Sequence, residues 1–228
     1  MSTKITLKSI KEYNKAAVNN PQVRLARNAA VRGDVMDLAM DWEAFRKIDH
    51  TFSEMVSGQM KVTNQKSSGR CWGFAGLNLF RVHLGRKYNL KQFEFSQNYF
   101  MFCDKLEKSN YFLESIIKTI DEPLDGRLVM HLLADPIQDG GQWHMFVNLI
   151  EKYGGLPQSV MPESFHSSQS MRMNRMITRN LRGFAKDLRS SGQKGASIKK
   201  LRDLKNNMLG TVYQMLTINL GSPPEKFE

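Results

Sequence analysis

The chain has 228 residues, 41% of them hydrophobic and 24% charged, with a formal net charge of +11. That composition is globular and long enough for one large domain or two small ones. No run of about 18 apolar residues occurs, which excludes a membrane-spanning helix, and two cysteines, Cys71 and Cys103, are too few for a disulfide framework or a cysteine metal cluster.

The opening Met1-Ser2-Thr3-Lys4 leads into mixed polar sequence without an apolar signal region, so a reducing, cytoplasmic location is expected. The positive charge is concentrated. Residues 164–210 carry eleven Lys and Arg against Asp187 and Asp203, a net of +9, which leaves +2 for the remainder. A basic excess of this kind raises a polyanion partner as a reading of function.

In chain order, Leu7, Ile10, Tyr13 and Ala17 predict an amphipathic helix that stops before Asn20-Pro21. A second helix is expected there, capped by Asn20 with Pro21 at its first position and ending near Gly33. Val35, Leu38, Trp42, Phe45 and Ile48 suggest a third, to about Lys47, followed by an extended stretch from His50 to Ser53.

Next comes Asn64-Gln65-Lys66-Ser67-Ser68-Gly69-Arg70-Cys71-Trp72, a loop that delivers a cysteine to the front of a helix marked by Phe74, Leu77, Arg81 and Leu84. Cys71 is expected in the first turn. There the unpaired N–H groups, the helix dipole and the Arg70 charge all favour a thiolate. A long helix over 97–121 with Ser96 as N-cap follows, with Cys103 on its apolar stripe, then a short helix over 127–134.

Asp139-Gly140-Gly141-Gln142-Trp143 forms a turn before a helix that ends at Gly154-Gly155. From 169 to 190, Arg172, Arg175, Arg179, Arg182, Lys186 and Arg189 step by threes and fours opposite Met173, Ile177, Leu181, Phe184 and Leu188. One face is core and the other a basic stripe. Almost no acids interleave, so pairing along the helix does not explain the charge. A last helix, 197 to about 216, buries Leu201, Leu204, Met208, Val212 and Met215.

A lone cysteine is most often a small buried hydrophobe. Its setting here points elsewhere. The pattern Gln-x5-Cys-Trp-x-Phe resembles the active-site segment of papain-like cysteine peptidases, and TNQKSSGRCW with the downstream DGGQW resembles the bleomycin hydrolase and aminopeptidase C family. The resemblance implies an α+β papain-like fold of which this is the truncated, mainly helical half: an N-terminal arm over 1–60, then 61–228 as half of the catalytic domain. It also implies Cys71 as nucleophile, Gln65 as an oxyanion donor, and Gly140, Gly141 and Trp72 as substrate contacts. Peptide substrates, no cofactor or metal, and a homo-oligomer, hexameric in the complete family enzyme, follow from it as well. Ser68 stands where secreted relatives carry a disulfide cysteine.

A nucleophile of this class needs a histidine base, placed in the papain pattern roughly 130–150 residues downstream. That window holds none: the five histidines are His50, His83, His131, His144 and His166. In the family it resembles, a mainly β C-terminal half supplies the base and its orienting Asn; the resemblance thus implies that they lie outside these residues, and this chain alone is expected to be inactive. The rival reading is a catalytically dead, basic helical module whose arginine stripe binds nucleic acid or another polyanion weakly.

Overall fold

The computed structural model describes residues 4–49, 51–54 and 60–226. It resolves into two compact units, Met1–Met55 and Val56–Glu228. The first holds α1 (Leu7–Asn19), α2 (Pro21–Ala30), α3 (Val35–Leu38) and α4 (Trp42–Arg46). Asn20 caps α2 through its side-chain oxygen, with Pro21 at the first position. The single helix expected to reach Lys47 is instead two short ones. Asp34 and Asp41 each accept a first-turn N–H, from Met36 and Ala44, and so start a new helix where the apolar spacing alone suggested continuity. His50 lies outside the described residues, and Thr51 to Ser53 carry no strand.

The second unit contains α5 (Cys71–Tyr88), α6 (Gln97–Lys118), α7 (Arg127–Ala134), α8 (Trp143–Tyr153), α9 (Phe165–Ser168), α10 (Met171–Gln193) and α11 (Ile198–Leu220). Among the described residues there is no β ladder, only isolated bridges between Ser67 and Gln169 and between Phe95 and Pro157.

The 22-residue α6 is the axis, about 33 Å long at 1.5 Å per residue. One side packs on α10 and α11 through Phe112, Leu113 and Ile116, which meet Ile177, Leu181, Val212 and Leu216. The other presents Phe100 and Cys103 to Leu77 of α5 and to Phe146 and Leu149 of α8. Side chains this deeply buried typically cost about 2–5 kcal/mol each when cut to alanine. Cys103 is thus a core residue in a second, smaller cluster.

Three helix ends depart from expectation. The axis helix stops at Lys118 and not at 121, because Arg189 takes the carbonyls of Thr119 and Glu122 at 2.6 and 2.5 Å. A cation there suits the negative end of a helix. Helix α10 runs on to Gln193, and the chain turns at Gly195, whose φ of +83° is open to glycine. Helix α11 continues to Leu220 before Gly221 ends it.

Candidate active site

Cys71 is the first residue of α5 and is exposed to solvent. No side chain caps this helix, in contrast to α6, where Ser96 accepts from Tyr99 N. The first-turn N–H groups are consequently left for an external acceptor. The loop before the cysteine is held by local chemistry. Lys66 adopts a left-handed conformation at φ +54°, Ser68 Oγ donates to Gln65 O at 2.7 Å, and Ser67 N donates to Ser168 O at 2.9 Å. Gln65 is half-buried, its amide oxygen lacks a partner, and its amide nitrogen donates to no described residue.

The glycine loop is fastened to this segment from two directions. Trp72 Nε1 donates to Asp139 O at 2.9 Å, and Gly69 N donates to Asp139 Oδ2 at 3.2 Å. The Asp139 carboxylate also accepts from Ser170 Oγ, Asn174 Nδ2 and Lys105 Nζ at 2.5, 2.7 and 2.5 Å. Burial alone would raise this carboxyl, but the Lys105 charge and these hydrogen bonds outweigh it and hold the group below the usual carboxylate range. Lys105 itself is 0% exposed and bonds to the carbonyls of Ile137 and Gln138. Lys108 takes the carbonyls of Gln138 and Gly140 and lies 5.3 Å from the centre of the Trp72 ring. Two lysines of α6 therefore fix successive carbonyls of the loop that ends in Gly140 and Gly141.

The two glycines differ. Gly141 sits against the Trp72 indole, where an added Cβ would fall 2.4 Å from Cε2. Gly140 faces open space with no heavy atom within 4 Å of that position. Gln142 turns to its own helix and accepts the His144 N–H as the N-cap of α8. The indole of Trp72 is wedged between Gly141, Asp139 O and Phe100, so it supports the loop from behind.

Arg70 behaves differently from its expected role as a bare charge beside the thiol. It is 3% exposed and forms a two-pronged pair with Glu163 at 3.0 and 2.7 Å, while its Nε donates to Ser68 Oγ. Its charge is matched by Glu163, so Arg70 is not a bare charge beside Cys71. Glu163 is 93 positions away in sequence, and no local signal announces it.

The basic stripe is divided by the fold. Arg172, Arg175, Arg179 and Lys186 are exposed. Arg182 donates to the carbonyls of Leu133 and Ala134 at 2.8 and 2.7 Å, which secures α7. Arg189 is 7% exposed and spent on the end of α6, a correction to its place among the candidate polyanion contacts. The helical spacing put it on the basic stripe, and only the neighbouring carbonyls reveal which way it turns.

No hydrogen bond joins Cys71 to a histidine among the described residues. His83 lies twelve residues along the same helix, about 18 Å away. His131, His144 and His166 belong to α7, α8 and α9.

Comparison with known proteins places the chain. The model of the Peptidase C1-like family matches residues 4–228. Aminopeptidase C of Listeria innocua is 43% identical over 100% of this chain and 51% of its own length. Bleomycin hydrolase of Oryctolagus cuniculus is 41% identical over 91% of this chain and 76% of its own length. The crystal structure of PepW from Lactobacillus rhamnosis superposes with a TM-score of 0.85 at 41% identity, covering 100% of this chain and 51% of that one. This likeness fits a papain-like fold, and the chain spans about half the length of relatives such as the Listeria enzyme. Matched from residue 4 to its last position, the chain belongs to the Peptidase C1-like family, alongside aminopeptidase C and bleomycin hydrolase.

Proposed function

We propose that this chain is the nucleophile-bearing, helical half of a papain-like cysteine aminopeptidase whose complete form is an α+β enzyme. The observation that carries this reading is the exposed Cys71 at an uncapped helix start, with the Gly140–Gly141 loop locked beside it through Trp72 and Asp139. An exposed cysteine at a helix start supports the role of nucleophile.

In the reaction, the Cys71 thiolate attacks the scissile carbonyl of a peptide. The oxygen takes the negative charge and is held by the Cys71 N–H and the Gln65 amide. The carbon–nitrogen bond then breaks, the amine leaves with a proton from a histidinium, and water hydrolyses the thioester. Gly140, without a side chain and facing open space, offers its backbone to the peptide. The histidine and the Asn that orients it are contributed by residues outside these 228, and no metal or cofactor takes part. A cytoplasmic homo-oligomer is the expected setting.

The test is expression of residues 1–228 with and without the C-terminal half of an aminopeptidase C, measuring amine release from an aminoacyl fluorogenic substrate. The chain alone should give negligible turnover and the pair clear turnover that Cys71→Ala abolishes. General acid–base catalysis typically contributes about 10² to 10⁴ in rate, so the contrast is large. Robust turnover by the 228 residues alone would show that one of their own histidines acts as base.

A further inference from the structure

Arg81 lies on α5 ten residues after Cys71, about 15 Å along the helix. It is 8% exposed, yet its guanidinium makes no hydrogen bond or ion pair among the described residues, and its Nε is wholly buried without a partner. Arginine does not give up its proton in proteins. A buried guanidinium therefore calls for a compensating anion within reach.

A cavity of about 310 Å³ opens beside it, lined by Lys61, Arg81, Gln92, Glu94, Gln158 and Ser159 among others. Its walls are fixed by hydrogen bonds. Gln158 N donates to Glu94 O at 2.8 Å, Phe95 bridges to Pro157, and Lys61 N donates to Gln92 Oε1 at 3.0 Å. The Gln92 amide nitrogen and the Ser159 hydroxyl make no hydrogen bond among the described residues, and the Lys61 ammonium forms no ion pair there, its charge acting on Glu94 only at longer range. Glu94 shares the cavity but forms no ion pair with Arg81. Burial raises its carboxyl above the usual range against the pull of the Arg81 and Lys61 charges, neither of which it meets at ion-pair distance.

We propose that this cavity binds a small carboxylate monoanion, taken by the Arg81 fork and closed in by Lys61, Gln92 and Ser159. Guanidinium and carboxylate match in shape and hydrogen-bonding pattern. Two cations against one carboxylate leave a single positive charge in the lining, which suits a monoanion better than a phosphate dianion. The site is separate from the chemistry at Cys71 and stands whether or not that chemistry is confirmed.

The experiment follows the Arg81 Nε–H resonance of the 228-residue chain by NMR while sodium acetate replaces sodium chloride at fixed ionic strength, with sodium phosphate as a second arm. Acetate should shift the resonance saturably and chloride should not. Glu94→Gln removes a like charge and should tighten acetate binding roughly tenfold. Arg81→Lys keeps the charge but loses the fork, and thermal shift should show its acetate response falling by a similar factor. The absence of a saturable shift in both the parent and Glu94→Gln would overturn the proposal, as would unchanged acetate affinity in Arg81→Lys. Weaker binding in Glu94→Gln, or phosphate bound more tightly than acetate, would overturn it too.

Discussion

The indole N–H of Trp72 is bonded to the main-chain oxygen of Asp139, 67 positions away, at 2.9 Å. The residue after the cysteine and the residue before the glycine pair are thereby parts of one rigid body. The Asp139 side chain completes it by accepting from Gly69, Ser170, Asn174 and Lys105. Asp139→Asn should break the buried pair with the Lys105 ammonium, leaving it only the Ile137 and Gln138 carbonyls and the charge of Asp104, a loss of about 3–5 kcal/mol. For a chain of this size that is a fall in Tm of roughly 6–20 °C. Urea denaturation and a timed alkylation of Cys71 together check it: both stability and thiol reactivity should change, whereas a substitution at exposed Gln142 should move neither reading as far.

The two cysteines should separate cleanly in reactivity. Cys71 is exposed, while Cys103 is buried and its thiol is pushed up to about 12, chiefly by burial. At pH 8 a thiol with that value is only about 10⁻⁴ thiolate, and the thiolate is the reacting form. Iodoacetamide should label Cys71 first and reach Cys103 only on unfolding, as peptide mass spectrometry would show. Equal rates would remove Cys71 as nucleophile.

Acid should loosen the contact between α6 and α11. Hydrogen bonds from Arg202, then Lys205, hold the Glu114 carboxyl down at about 2. A depressed carboxyl contributes stability that is complete above the ordinary carboxylate range and is lost as pH falls through the folded value. The window therefore runs from about pH 4.3, the ordinary glutamate value, to about 2. Unfolding free energies at pH 7, 4 and 2.5 should fall across it, and Glu114→Gln should flatten that part of the curve.

Sequence made the helices legible because each carries its own signals. Asn20-Pro21 starts α2, Ser96 caps α6, and the apolar stripe of α10 faces the core. The loop and cysteine of the site were legible for the same reason, being contiguous. What joins them was not. Glu163 neutralises Arg70, Lys105 is drawn into the interior by Asp139, and Arg189 turns to the end of α6, all through partners 34 to 93 positions distant. The short α3 and α4 are a different kind of miss, since their caps Asp34 and Asp41 are local and the apolar spacing alone takes no account of them.

The arginine stripe can be sorted by the same distinction. Arg175→Gln, Arg179→Gln and Lys186→Gln change exposed residues and should each move stability by no more than about 0.5 kcal/mol. Arg189→Met loses two charge-assisted bonds to carbonyls and should cost about 2–4 kcal/mol. If a polyanion is bound here, the slope of log affinity against log salt should fall by about 0.9 for each contacting cation removed. It should not respond to Arg189→Met at temperatures where that variant is folded. Urea melts and DNA binding at several salt concentrations measure the two effects independently.

Gly140 and Gly141 allow structure and recognition to be separated at adjacent positions. A methyl at Gly141 falls 2.4 Å from Trp72 Cε2 and 2.5 Å from Cζ2, distances that force the indole to move. Its bond to Asp139 O is then lost, and overpacking of this kind typically costs about 1–3 kcal/mol. Gly141→Ala should accordingly lower stability and shift the fluorescence of Trp72. At Gly140 a methyl meets nothing within 4 Å, so Gly140→Ala should leave stability within about 0.5 kcal/mol. The same methyl would stand where an extended peptide approaches the loop. With a C-terminal half supplied, Gly140→Ala should raise KM for a peptide substrate while leaving the rate of Cys71 alkylation unchanged. A stable Gly141→Ala with unshifted fluorescence would show that the indole is not packed on the loop. An unaltered KM in Gly140→Ala would move the bound peptide to another face of the site.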